Sequence, residues 1–184
     1  MTLLPAGQHV LPAVRKLKDV EALLPLDFSH LVLLGGHLGQ LKAIVDLAGQ
    51  HGKKVLLHAD LIDGLKNDEY AAEFLCQSIR PAGLISTRAS VIAKTRQNGL
   101  IAIQRLFLID SDALERSYSI LEKHRPDYIE VLPGIMPEMI HEVKSRSGIP
   151  IIAGGLIRTE KHVRQALEAG ASAVTTSRKE LWKL

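Results

Sequence analysis

One cysteine, Cys76, occurs in 184 residues, so no intrachain disulfide can form. It lies in the apolar helical pattern AAEFLC, reads as a buried structural thiol, and sets the expectation of a reducing, cytoplasmic compartment. Aromatics make up 4% of the chain, with a single tryptophan, Trp182. That scarcity excludes a broad platform on which bases stack. No apolar run approaches the ~18 residues of a membrane span, and the N-terminus does not read as a signal peptide. A membrane is therefore not an expected partner. Low-complexity segments, linkers and an arginine-rich tail are also missing. No G-x-G-x-x-G follows the first strand, which argues against a doubly wound open sheet, the rival architecture.

The composition that remains is ordinary for a soluble globular protein: 46% hydrophobic and 23% charged. The length suits one domain over residues 1–184 with one substantial core. The net charge of +3 is uneven. Residues 1–92 carry nine basic and nine acidic side chains, and residues 93–184 carry fourteen and eleven. This leans only slightly toward a polyanionic partner.

Strand-like and helix-like runs alternate along the chain. The strand runs are His9–Ala13, Leu31–Leu34, Lys54–His58, Gly83–Ser86, Leu100–Ile109, Tyr128–Leu132, Ile151–Ala153 and Ala173–Thr175, and the terminal RKELWKL is also read as strand-like, against the eight strands that a closed barrel takes. Helices are expected over Val20–Leu24 with Asp19 as cap, Leu38–Gln50, Asp68–Ser78, Ser90–Gln97, Asp110-Ser111 to His124, Glu138–Ser147, and from Thr159 as cap to Glu168. Uninterrupted apolar runs such as LVLL point to a parallel sheet covered on both faces. The reading is a compact (β/α)₈ barrel of the TIM type, with about 23 residues per unit and short loops.

Polar residues gather where barrel sites stand, at the C-terminal ends of strands. The stretch PIIAGGLIRTEKHVRQALEAGASAVTTS carries Gly154 and Gly155 at one strand end and Ser177 just past the next. Glycine-turn N–H groups, with the N-terminus of a short last helix near Arg178, would hold a phosphate there. Close packing is the alternative role for the glycine pair. His58, Asp60 and Asp63 follow the third strand, where they stand as site groups or as a core histidine, a loop cap and a turn residue. Arg88 ends the fourth strand and meets either an anion or a surface carboxylate. Arg105 interrupts the fifth, and Glu130 lies in mid-strand on the sixth. A buried guanidinium requires a partner, so the two are expected to pair, with Phe107–Ile109 forming a loop packed over Arg105. A divalent ion between Asp60 and Glu130 is a weaker alternative, so no metal and no cofactor are expected.

The segments PAVR (12–15), HADLIDGL (58–65), ISTR (85–88), QRLFLIDS (104–111), DYIEVLPG (127–134), IIAGGLI (151–157) and TTSRKELW (175–182) resemble those of the glycerol-3-phosphate-responsive antiterminator family, in the family's order and across nearly the whole chain. Ala59 stands where the family commonly has a bulkier aliphatic, and Thr175 where a serine is common. The resemblance implies a (β/α)₈-like fold, glycerol 3-phosphate as effector, and binding of a messenger-RNA leader so that transcription passes a terminator. It implies no catalysis. Asp60 or Glu130 would pair with the glycerol hydroxyls. Gly154, Gly155 and Ser177, with Arg88 or Arg105, would hold the phosphate, and Arg15, His58 and Asp110 are further candidates. Arg88 and Arg158 are candidates for RNA contact. A symmetric homodimer is the default oligomer, and Trp182 would cap the barrel bottom or a subunit interface. The residues alone, without the resemblance, favour a small barrel enzyme acting on a phosphorylated three-carbon or sugar metabolite, although His58 and Asp60 lack an evident orienting third group.

Overall fold

A computed structural model describes residues 7–184. The elements run β1 (Val10–Val14), α1 (Leu17–Leu23), β2 (His30–Leu33), β3 (Gly36–His37), α2 (Leu38–Gln50), β4 (Lys54–His58), β5 (Ile62–Asp63), α3 (Glu69–Phe74) and β6 (Gly83–Ser86). They continue with α4 (Ala89–Gln97), β7 (Ile101–Phe107), α5 (Ser111–His124), β8 (Tyr128–Leu132), α6 (Pro137–Ser147), β9 (Ile151–Ala153), α7 (Glu160–Glu168) and β10 (Ala173–Thr176). Eight strands close into a parallel barrel in the order β1-β10-β9-β8-β7-β6-β4-β2, and β3 pairs with β5 as a separate two-stranded rim.

Two apolar layers build the wall. Leu11, Val32, Leu56, Ile85, Ile103 and Ile152 belong to one buried cluster that fills the barrel. A larger cluster packs the outward strand residues against the helices, among them Leu57, Leu84, Val131, Ile140 and Val163. Because side chains alternate along a strand, the inner cluster fixes which residues face inward nearer the C-terminal mouth. Counting on by two from Ala13, Leu56, Ile103, Tyr128 and Ala173 reaches Arg15, His58, Arg105, Glu130 and Thr175. The polar set of the barrel thus follows from the same parity that fills its floor.

Pro12 sits inside β1, where a proline removes a ladder donor. Val14 O accepts from Leu34 N, so Pro12, two residues earlier, turns its nitrogen toward the same neighbour. The β1–β2 register accordingly begins only at Ala13, opposite Val32. Below it the Gln8 side chain replaces the missing ladder. Its Nε2 donates to Val10 O at 3.0 Å and His30 O at 2.7 Å, and its Oε1 accepts from the N–H groups of Ser29 and His30 at 3.0 Å.

Three expectations need correction. The eighth strand is Ala173–Thr176, and the RKELWKL tail forms a short 3₁₀ turn at Lys179–Leu181. Lys16, not Asp19, precedes α1, and Asp19 lies within its first turn. Phe107 belongs to β7 and is half exposed, and Ile109 is 76% exposed, so neither covers Arg105. Trp182, expected at the barrel bottom or a subunit interface, is buried, with Nε1 donating to Thr176 O at 2.9 Å, and lines a pocket with Gln8, Val10 and Ser29 at the N-terminal ends of β1 and β2. The α3 helix also continues as a π turn over Leu75–Ile79, which ends at a left-handed Arg80. Cys76 lies in that turn, and burial pushes its thiol up to about 11.

Candidate anion site at the barrel mouth

A cavity of 540 Å³ opens at the C-terminal ends of β1, β7, β8, β9 and β10. Four arginines line it: Arg15, Arg105, Arg158 and Arg178. The one carboxylate among its lining residues is Glu130, and that carboxylate is already engaged. Arg105 Nε donates to Glu130 Oε2 at 2.7 Å, and Thr175 Oγ1 donates to Glu130 Oε1 at 2.8 Å. Glu130 is 1% exposed, and the Arg105 side chain 10%. The register places Arg105 directly opposite Glu130 on β7 and β8, so the expected pairing is present.

The cavity has two tiers. Arg105, Glu130 and Thr175 form its floor, while Arg15, Ser177, Arg158 and Arg178 stand exposed around its edge. The Arg178 guanidinium reaches Glu180 at 4.0 Å, at the limit of an ion pair, and has no closer carboxylate among the described residues. Backbone donors complete the wall. Gly155 and Leu156 line the cavity, and their N–H groups, like that of Ser177, have no partner within the chain among the described residues. Gly155 has φ +71° and the next residue, Leu156, +60°. Consecutive left-handed residues curl a backbone into a concave set of donors, and a leucine adopts that conformation only under constraint.

The two glycines do different work. Gly154 N donates to Val131 O at 2.9 Å, so its N–H is spent on the barrel and is not offered to a ligand. A Cβ on Gly154 would stand 2.6 Å from Thr175 Oγ1 and 2.7 Å from Glu130 Oε1. Gly154 therefore makes room for the Glu130 cradle, and Gly155 is the member of the pair that faces the cavity.

Three predicted site residues lie elsewhere. Asp60 is not among the lining residues. Its Oδ1 accepts from Ser86 Oγ, and its Oδ2 from Thr87 N and Thr87 Oγ1, both at 2.7 Å. Burial works against the Asp60 charge, but those hydrogen bonds outweigh it and hold the carboxyl below its ordinary range. Arg88 is exposed and precedes α4, with its N–H donating to Ser86 Oγ at 3.0 Å. Asp110 caps α5, accepting from Ala113 N at 2.7 Å, beside a different, 280 Å³ groove.

His58 is 2% exposed, and neither ring nitrogen has a partner. Burial, helped by the neighbouring Arg105 charge, lowers its pKa to about 4. It is a neutral ring set beneath the cavity. Among the described residues, no three His, Cys, Asp or Glu side chains gather as a metal site would require.

Sequence reasoning missed Arg178, Leu156 and the role of Thr175 on Glu130. Strand parity would have found Thr175, and the position of Arg178 directly after Ser177 was a usable signal. Leu156 gave none, because nothing in its type announces a left-handed backbone.

Comparison with known proteins follows the same residues. The family model for the glycerol-3-phosphate responsive antiterminator matches residues 10–182. A glycerol uptake operon antiterminator regulatory protein from Listeria monocytogenes, solved as a crystal structure, superposes with a TM-score of 0.94 at 50% identity, over 97% of this chain and 96% of that one. A glycerol uptake operon antiterminator-related protein from Thermotoga maritima superposes with a TM-score of 0.84 at 29% identity, over 96% and 99%. The uncharacterized protein YgcP of Escherichia coli strain K12 is 32% identical over 175 residues, 95% of this chain and 92% of its own.

Proposed function

From the premise that this chain belongs to the glycerol-3-phosphate responsive antiterminator family, we propose that it is a regulator whose effector is glycerol 3-phosphate and whose target is a messenger-RNA leader. The observation that carries the effector half is the charge of the cavity. Four arginines surround it, and its one lining carboxylate is neutralised by Arg105. An anion is what such a cavity stabilises, because guanidinium groups and unpartnered backbone N–H groups both favour negative oxygen.

In this reading the phosphate meets the Gly155 and Leu156 N–H groups, Ser177 and the rim arginines. The glycerol hydroxyls reach down to Glu130 and Thr175, whose remaining lone pairs accept them. The floor thus reads a polyol and the wall reads a phosphate. Asp60 has no place in this arrangement, since it is not among the residues that line the cavity.

The RNA half is supported by the exposed arginines Arg15, Arg158 and Arg178. They stand at the edge of the effector's own cavity, so the RNA, a polyanion, would cover the site of a small anion. Each contact to a phosphodiester releases counterions, so affinity depends on salt. A regulator of this kind binds its RNA differently in its two effector states.

The test is leader-RNA affinity at fixed salt, with and without saturating glycerol 3-phosphate, alongside calorimetry of the effector alone. The expected result is micromolar-range or tighter effector binding and a change in RNA affinity of several fold. Equal RNA affinity in both states removes effector gating. Conversion of glycerol 3-phosphate to a product by the pure protein would favour the barrel-enzyme reading instead.

A further inference from the structure

The loop that joins β9 to α7 runs from the cavity to its rim. Gly155, Leu156 and Ile157 line the cavity, and Arg158 stands exposed at its edge. Leu156 is held in the left-handed region, at φ +60°. That region disfavours a leucine, so something outside the residue must hold it there.

His162 stands over this loop. Thr159 caps α7, and His162 N donates to Thr159 Oγ1 at 3.2 Å, which seats the histidine in the first helical turn. Its ring reaches back over the loop. Nδ1 lies 3.2 Å from Leu156 O, and Arg158 N lies 3.3 Å from the same Nδ1. A single ring nitrogen cannot serve both. Without a proton it accepts from the Arg158 N–H; with a proton it donates to the Leu156 carbonyl. Between these two peptide groups, Ile157 is buried and its carbonyl accepts from Thr176 Oγ1 at 2.8 Å. The centre of the loop is pinned to β10, and the two flanking groups share one partner.

We propose that His162 is a positioning residue that couples the effector cavity to Arg158. It does so by exchanging Nδ1 between the Arg158 N–H and the Leu156 carbonyl. The inference rests on the reading that an anion occupies the cavity and RNA meets the rim. In the empty state Nδ1 is bare and holds the Arg158 amide. An anion on the Gly155 and Leu156 N–H groups fixes the Leu156 backbone, and the ring then donates to its carbonyl. The proton moves from Nε2 to Nδ1 through solvent, which reaches this half-buried ring. The Arg158 amide is released, and its side chain is free to settle over the rim. Effector and RNA are then linked through one histidine, with no movement of the barrel strands.

Two variants separate this latch from a merely structural role. His162→Leu removes Nδ1. His162→Asn keeps an amide that accepts or donates near the same point. The readout is the factor by which saturating glycerol 3-phosphate changes leader-RNA affinity, with effector affinity measured separately. The parent factor is expected within the ~5–150-fold range usual for coupled sites, and His162→Leu should bring it to within about twofold of unity. Effector affinity should change by less than about threefold, since His162 does not itself bind the anion, and His162→Asn should retain most of the coupling. A ¹⁵N spectrum of the parent should show Nδ1 passing from the bare to the protonated position as effector is added. An unchanged coupling factor in His162→Leu, or an Nδ1 signal that ignores the effector, overturns the latch and leaves the proposed function standing. Absence of any coupling in the parent removes both together.

Discussion

Removing Glu130 is the perturbation with the largest consequence for stability. Its carboxylate is 1% exposed and accepts from Arg105 Nε at 2.7 Å and Thr175 Oγ1 at 2.8 Å. Glu130→Leu strips both donors of their acceptor at once. A guanidinium left nine-tenths buried without its counter-charge costs about 3–5 kcal/mol, and the orphaned threonine hydroxyl adds about 1–3 kcal/mol, with the sum reduced by any water the cavity admits. Arg105→Met leaves the complementary orphan and should cost about 3–5 kcal/mol as well. The double variant removes both charges. It should therefore cost much less than the sum of the single losses, with a coupling energy of about 0.5–3 kcal/mol or more, and replacement of the whole pair by apolar groups need cost little. Urea melts of the four proteins, fitted with a common slope, measure the cycle. Strictly additive losses would refute the view that the two residues act as one buried unit. The double variant should also fail to bind glycerol 3-phosphate in calorimetry despite being folded, because the residues proposed to read the polyol are gone.

Three further outcomes are expected. Gly155→Asp should abolish measurable effector binding, since φ +71° is unfavourable to any side chain, a Cβ there meets Leu132 Cδ2 at 3.2 Å, and the added charge faces the anion; unchanged affinity in the folded variant would place the anion elsewhere. Arg158→Ala should weaken leader-RNA binding and flatten the slope of log affinity against log salt by about 0.7 for one lost single-strand contact, and a parallel line of unchanged slope would move the RNA surface away from the rim. His30 and His58 are both lowered to about 4, chiefly by burial, so the unfolded chain binds protons between pH 6.5 and 4 that the folded chain refuses. Their contribution is complete above pH 6.5 and is lost as pH falls toward 4, by about 3 kcal/mol each at most. His58→Gln should reduce that acid sensitivity by about half in melts from pH 7 to 4, and identical profiles would contradict the assignment.

The fold was legible because apolar runs and glycine stops mark strand ends. Lys54–His58, Gly83–Ser86, Tyr128–Leu132 and Ile151–Ala153 have the bounds that their composition predicts. The tail was misread because WKL is apolar enough for a strand, while the barrel was already complete at Ala173–Thr176. The floor of the site was legible too, since a charged residue inside an apolar strand admits few solutions, and Arg105 and Glu130 satisfy each other. Asp60 was not, because a carboxylate that follows a strand looks the same whether it awaits a ligand or ties down the next strand. Here Ser86 and Thr87 decide the matter, and they lie 26 and 27 residues away. The His162 contacts were equally silent, since they depend on where a loop bends and not on which residues it contains.

The closure of β1 against β10 has a consequence for the order in which this protein comes into being. Val10 pairs with Val174 across the seam, so the first barrel strand made by the ribosome stays unpaired on one edge until the last one emerges. Thr175, Ser177 and Arg178 arrive with that last strand and its turn. A nascent chain therefore carries seven-eighths of a barrel and no complete cavity. The loop closure that seals the wall is also among the longest contacts the chain can make, which places it late in folding. The closed barrel and the full lining of the cavity are acquired in the same step, so no half-made copy presents the whole of that lining.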